Sequence, residues 1–165
     1  MKRWEPSMLF RVRASAIILN TKQEVLLVLH NDQQTGETWL MPPGGGLEAG
    51  EDALKAVVRE VWEECGVVCQ PGKLLYVREY VSYDASLHHL GLFFEAKLTD
   101  HTAPLTVGTD PELSEQIIEN CGFYSRETIH ASGLSVYPEI LIDTFWEDLK
   151  KGFDNHQVYL GQQRE

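Results

Sequence analysis

Glu60, Glu63 and Glu64 carry the most chemistry in their spacing. On a helix turning about 100° per residue, Glu63 falls roughly 60° to one side of Glu60 and Glu64 roughly 40° to the other. Three carboxylates therefore share one helical face. Like charges four residues apart repel by roughly a few tenths of a kcal/mol, and a Lys or Gln would relieve that repulsion. Hard divalent cations need oxygen ligands gathered in this way, so a cation site is the chemistry the cluster suggests. A solvated acidic face is the plainer alternative. Arg59 adjoins the cluster and reaches Glu63 at i+4, where its guanidinium can fix a carboxylate rotamer. Upstream, Gly44-Gly45-Gly46 allows close backbone approach to a ligand or ion. Glu51 stands at the expected helix start, where its charge suits the N-terminal dipole.

The elements that must position these groups follow from periodicity. Glu51 to Cys65 reads as a helix closed by Gly66, with Leu54, Val57, Val58, Val61 and Cys65 as its buried stripe, Trp62 at the stripe's edge, and Glu64 facing away from the core. Met8 to Leu19 alternates as a strand, turns at Asn20-Thr21-Lys22, and is followed by the apolar run Val25 to Leu29, so the two segments predict a hairpin. Asn31 to Thr38 reads as loop and Trp39-Leu40-Met41 as a short apolar piece. It ends at Pro42-Pro43-Gly44-Gly45-Gly46, where no regular element is expected. Leu74 to Ser82 and Leu87 to Leu98 read as strands, Asp100 to Glu115 as loop, and Ile117 to Tyr124 as an ambiguous strand. Pro138 opens a last helix through Leu149 to Gly152. Strands around one central helix, with a second helix closing the chain, predict an α/β or α+β sandwich.

Gly45, five residues, Glu51, seven residues, Arg59-Glu60-Val61, one residue, Glu63-Glu64, one residue and Gly66-Val67 together resemble a complete Nudix box. Seven fixed identities at usages near one in fifteen arise by chance about once in 10⁸ starting points. The resemblance to the Nudix hydrolases implies an α/β/α sandwich with a mixed β-sheet. It further implies Mg²⁺- or Mn²⁺-dependent cleavage of a diphosphate linkage in a nucleoside diphosphate joined to another group. By position, Glu60, Glu63, Glu64 and the Gly45 carbonyl would be metal ligands. Arg59 would orient the carboxylates, and Glu51 would support the loop–helix arrangement. The general base would be a box glutamate or an acid from a distant loop, where Glu112 and Glu115 are the candidates. A nucleotide-binding sensor without turnover is the alternative, although such domains commonly lose box carboxylates and none is lost here. An isomerase acting on an isoprenoid diphosphate is a third reading, by fold analogy alone.

Composition bounds the rest. A chain of 165 residues suits a single domain over 1–165, long enough to fold without disulfide or zinc. Its formal charge of −11, from 14 Lys and Arg against 25 Asp and Glu, argues against a nucleic-acid partner and leaves a small nucleotide-type substrate. A bound cation would offset that field for an anionic substrate. Cys65, Cys69 and Cys121 form no paired framework and read as small core residues in a reducing compartment. With no signal-peptide pattern and no apolar run of spanning length, the expectation is a cytoplasmic protein without a membrane partner.

Substrate choice has weaker signals. Tyr83 lies 16 residues beyond Val67, where Nudix enzymes acting on diadenosine polyphosphates often carry a tyrosine. ADP-ribose pyrophosphatases often have a proline in that region, here Ser82-Tyr83-Asp84. This tilts the expectation toward dinucleoside polyphosphates over ADP-ribose, nucleotide sugars or nucleoside triphosphates. Trp39 is a further candidate to stack on a base, along with Tyr80 and Phe94. His88-His89 could contact phosphate, although strand packing is the simpler role. Trp4, Trp62, Trp146 and Tyr137 read as packing or interface residues, which leaves room for a homodimer.

Overall fold

The structure, a computed structural model, describes residues 8–108 and 116–164. Its strands are β1 (Leu9–Ile18), β2 (Val25–Asp32), β3 (Thr38–Met41), β4 (Gly44–Gly46), β5 (Cys69–Val81), β6 (Leu87–Leu98), β7 (Gln116–Tyr124), β8 (Ser135–Val136) and β9 (Tyr159–Arg164). The helices are α1 (Ala53–Cys65), α2 (Arg126–Ser132) and α3 (Thr144–Lys150), with a 3-10 turn at Glu139–Leu141. The strands form two sheets, ordered β4-β1-β6-β5-β9 and β7-β2-β3-β8. Both are mixed: β1–β6, β5–β9 and β3–β8 are parallel pairs, and the others are antiparallel.

The near-continuous apolar runs in β1 and β2 follow from burial on both faces. Ala14, Ala16, Ile18, Leu26 and Val28 face a first core that includes Ala56, Val57, Val61 and Cys65 of α1. Ile17, Val25 and Leu27 face a second core built with Ile129 of α2, Leu141 of the 3-10 turn, and Phe145 and Trp146 of α3. Helices thus cover both sides of the paired sheets, as the expected α+β sandwich requires. Among the described residues no helix is long and apolar enough to cross a membrane.

Several expectations need correction. The hairpin between β1 and β2 is reduced to one bridge, Leu19 to Val25, because β1 instead runs parallel to β6 over its whole length. Gly44–Gly46 is a strand after all, paired antiparallel to Arg13–Ser15. A neighbouring backbone supplies the partners that glycine propensity does not. The last helix is broken, with Ile142 and Asp143 separating the 3-10 turn from α3. The α2 helix was not anticipated, although Ser125 caps it through the Thr128 N–H (3.1 Å) and Gly133 ends it at φ 65°. The tail beyond Gly152 contains β9, which extends the larger sheet beside β5.

The helix α1 begins one turn's edge later than expected. Asp52 is its N-cap, accepting from the Lys55 N–H at 2.8 Å, and Glu51 lies just outside it. At the other end Gly66 takes φ 68° and donates to the Trp62 carbonyl at 2.9 Å. The chain returning from β6 completes this end. Thr106 N–H donates to Cys65 O (3.0 Å) and Gly108 N–H to Glu64 O (2.9 Å), satisfying carbonyls that a helix terminus leaves open. A Cβ on Gly108 would lie 1.6 Å from Glu63 O, so only glycine permits this seat.

Candidate active site

The functional face of α1 differs from the wheel in one respect that changes its chemistry. Glu60 and Glu64 are 1% and 0% exposed, buried beside Val57, Val61 and Cys65 rather than on a solvated face. Leu54, expected in the buried stripe, and Trp62, expected at its edge, are exposed, and Glu63 is half-buried. The helix is rotated so that two carboxylates four residues apart point inward. Burial of carboxylate charge is costly unless counter-charge is provided.

Part of that counter-charge is Arg59. Its Nε and Nη2 grip both oxygens of Glu51 at 2.8 and 2.9 Å. Nη1 donates to Glu60 Oε1 (2.8 Å) and Glu63 Oε2 (3.2 Å), and Nη2 donates to the Gly46 carbonyl (3.0 Å). A guanidinium has five N–H donors, and these five bonds use them all. Arg59 is therefore a hub joining α1, β4 and the segment before α1, more than the rotamer pin the sequence suggested. The Arg59 bonds hold the Glu51 carboxyl below the usual range, and Glu51 together with Glu60 raises the Arg59 guanidinium. Glu51 Oε1 also accepts from the Glu48 N–H at 3.1 Å, so its role is to fasten the loop rather than to bias a helix dipole.

The glycine strand meets the helix at one point. A Cβ on Gly45 would sit 2.3 Å from Glu60 Oε1, so the missing side chain is what lets β4 lie against the carboxylate. Glu51, Glu60 and Glu63 bring three carboxylates to one guanidinium, and Glu64 adds a fully buried fourth on the same helix, leaving formal negative charge in a mostly buried place. Carboxylate and carbonyl oxygens are hard donors, suited to Mg²⁺ or Mn²⁺, and the missing Cβ at Gly45 brings the β4 backbone against Glu60. Among the described residues, no three His, Cys, Asp or Glu side chains are arranged to hold an ion as they stand. Glu60 and Glu63 turn toward Arg59 instead, so ion entry requires these side chains to reorient.

The remaining candidates are placed unevenly. Gly45 lies against Glu60 and Gly46 accepts from Arg59, whereas Gly44 packs on Ser15. Trp39 is half-buried and stacks on His30 at 5.5 Å between centroids and 9° between planes. Tyr83 is 87% exposed in the turn joining β5 and β6, a turn whose Ser86 carbonyl accepts from the Leu9 N–H at the start of β1 (2.7 Å). Glu112 and Glu115 lie outside the described residues. The three cysteines are free and buried.

Sequence reasoning missed a group on the other face of β1. Arg13 Nη2 reaches the Gly44 carbonyl at 3.5 Å, and Arg11 pairs in register with His89 of β6. The available signal was two arginines alternating within an otherwise apolar strand. His30 is 3% exposed, with no hydrogen-bond partner at Nδ1. Burial, then the charge of Arg13, lowers its pKa to about 4. The same two causes, with Arg11 and His88, lower His89 to about 4.

These shifts give a sign to acid stability. A histidine neutral in the fold but titrating near 6.5 when unfolded makes the unfolded state bind more protons below that pH. Stability is then complete above about pH 6.5 and declines as pH falls toward 4. His30→Phe keeps the stack on Trp39 and removes this titration. Urea denaturation is expected to show that the loss of stability between pH 7 and pH 5 is smaller in the variant by about 1–2 kcal/mol. Parallel pH dependences in the two proteins would contradict it.

A family model described as the NUDIX domain matches residues 9–135. The mouse 8-oxo-dGDP phosphatase NUDT18 is 41% identical over 64 residues, 39% of this chain and 20% of that protein. Mouse diphosphoinositol polyphosphate phosphohydrolase 2 is 37% identical over 70 residues, 42% of this chain and 38% of that protein. The matched segments thus span about a fifth and somewhat over a third of those relatives. Among solved structures, a NUDIX hydrolase from Nitrosomonas europaea superposes with TM-score 0.67 at 25% identity, covering 87% of this chain and 90% of that one. The MutT protein from Methanosarcina mazei Go1 gives 0.65 at 22% identity, covering 87% and 97%, a likeness of fold. With a family model matched over more than half its length, around the helix and glycine strand described above, the chain belongs to the NUDIX family.

Proposed function

We propose that the protein hydrolyses a diphosphate linkage in a compound where a nucleoside diphosphate is joined to a second group, with Mg²⁺ or Mn²⁺ as cofactor. The observation that carries this reading is the burial of Glu60 and Glu64, with Glu60 lying against Gly45 and Arg59 as the guanidinium shared among Glu51, Glu60 and Glu63. Glu60, Glu63, Glu64 and the Gly45 carbonyl would hold the ion, which when bound supplies charge neutralisation of the diphosphate and activation of water. Without the ion, Arg59 holds Glu60 and Glu63, and these side chains turn from it toward the ion on binding. Glu51 ties the preceding loop to Arg59, and the side-chain-free strand Gly44–Gly46 admits the diphosphate close to the carboxylates. The names of both relatives above denote a diphosphate-bearing substrate, which supports this reaction class. Within it, dinucleoside polyphosphates are favoured over ADP-ribose, nucleotide sugars and nucleoside triphosphates.

A substrate panel tests this directly. Diadenosine tetraphosphate, ADP-ribose, a nucleotide sugar and a deoxynucleoside triphosphate are incubated with Mg²⁺, Mn²⁺ or chelator, and phosphorus-containing products are followed. Products that need the metal are expected for at least one compound. Binding with no product from any of them would instead make the protein a nucleotide sensor.

A further inference from the structure

The face of the larger sheet opposite α1 carries a cleft that hydrolysis does not use. Ile17, Leu19, Leu75, Leu149 and Phe153 give it apolar walls, and its volume is about 270 Å³. Glu95, Lys97 and His101 complete the lining. Strand register explains this mixture. Ile17 of β1 lies beside Glu95 of β6, and alternate residues of a strand share a face, so Lys97 joins Glu95 on the side of the second core. The cleft is separate from the carboxylate cluster. Ala14, the register partner of Gly45, belongs to the core under α1. Ile17 stands three residues farther along β1, roughly 10 Å away, and on the other face.

The wall formed by Phe153 is held from several directions. Phe153 has φ 57°, a left-handed conformation that side chains rarely adopt, and follows Gly152 at φ 65°. Its N–H donates to the Asp148 carbonyl at 2.8 Å. Its ring meets those of Phe145 and Tyr76 at 5.9 and 6.3 Å between centroids. His156 ties this wall to β5, with one ring nitrogen 2.9 Å from the Phe153 carbonyl oxygen and the other 2.6 Å from that of Leu75. Such contacts keep an unfavourable backbone conformation in place, and the cleft is formed before any ligand arrives.

The charges define what fits. Glu95 is half-buried and Lys97 is exposed. Residues two apart on a strand stand roughly 7 Å apart, within pairing reach of two long side chains. Yet among the described residues neither Glu95 nor Lys97 makes an ion pair or a side-chain hydrogen bond. A carboxylate and an ammonium left apart beside apolar walls suit a ligand that brings the complementary pair. Glu95 accepts from an ammonium, and Lys97 and His101 offer donors to a carboxylate. An apolar side group leaves water against Ile17, Leu75, Leu149 and Phe153. Sites for drug-sized ligands run from about 300 to 1,000 Å³, so this smaller cleft suits a single small molecule. A nucleotide would bring phosphate charge toward Glu95 and no cation to meet it.

We propose that this cleft binds a free α-amino acid with an apolar side chain, its ammonium at Glu95 and its carboxylate at Lys97 and His101. The site lies outside the hydrolytic reading, and its test needs no turnover, so the two stand or fall separately.

Calorimetry on the full chain compares L-phenylalanine and L-leucine with phenethylamine, which lacks the carboxylate, and 3-phenylpropanoate, which lacks the ammonium. At least one of the amino acids is expected to bind saturably with Kd below about 10 mM, and about tenfold more tightly than either truncated compound. Glu95→Gln is expected to weaken that binding about tenfold, and Lys97→Gln, at a more exposed position, about threefold. Both variants are expected to keep the wild-type circular dichroism, and Lys97→Gln, as an exposed change, reads the site even where Glu95→Gln disturbs the fold. No saturable binding of either amino acid, equal affinity for the truncated compounds, or affinity unchanged in both variants overturns the proposal.

Discussion

Glu64→Gln is expected to lower turnover about a thousandfold, equivalent to about 4 kcal/mol of transition-state stabilisation, while the metal-free protein becomes no less stable. Glutamine keeps the shape of the side chain and removes its charge. At 0% exposure, and four residues from the equally buried Glu60, that charge is held in place for function rather than for folding. Three measurements separate this from simple damage. The variant should unfold at or above the wild-type temperature without metal, lose the stabilisation that Mg²⁺ confers on wild type, and retain native circular dichroism. Near-wild-type turnover would show that Glu64 does not hold the reacting ion.

Arg59→Ala is expected to have the largest effect on stability. All five donors of the guanidinium are engaged, and its removal leaves Glu60, at 1% exposure, and Glu51 without that counter-charge. Breaking a buried ion pair from one side costs about 3–5 kcal/mol, and the Gly46 carbonyl loses a donor as well. Arg59→Lys restores charge but not the fork that holds Glu51 at two oxygens, so about half the loss should persist. Saturating Mg²⁺ should narrow the gap, because an ion on the same carboxylates replaces part of the missing charge. Denaturant titrations with and without Mg²⁺ read both effects. A loss under about 1 kcal/mol would mean the hub is a surface network of ordinary weakness.

The sequence carried the site more fully than the fold because the site is local. Gly45, Glu51, Arg59, Glu60, Glu63 and Glu64 are spaced by one helix and the turn before it, so helical periodicity brings them together. What periodicity did not carry was the rotation of α1. Leu54 and Trp62 look apolar enough to be core, yet they are exposed, while Glu60 and Glu64 are buried. The reason is tertiary: the glycine strand lies against Glu60, and the chain after β6 bonds the Cys65 and Glu64 carbonyls through Thr106 and Gly108. Pairing between distant strands was illegible for the same reason. Nothing within Leu9–Ile18 specifies a parallel neighbour at Leu87–Leu98, and Val25 was the nearer partner in sequence. Gly44–Gly46 has no strand propensity of its own and becomes a strand because β1 offers an open edge. Short α2, by contrast, had legible caps in Ser125 and Gly133. Arg11 and Arg13 were visible as charges in an apolar strand, but the histidines they face lie on other strands and, for His30, in another sheet.

Crystals soaked in saturating Mn²⁺, with and without a non-hydrolysable diphosphate compound, give the most direct measurement of the central claim. The expected result is an anomalous peak bounded by Glu60, Glu64 and the Gly45 carbonyl, with Glu60 turned from Arg59 toward the ion. No peak at that position under either condition would contradict the account.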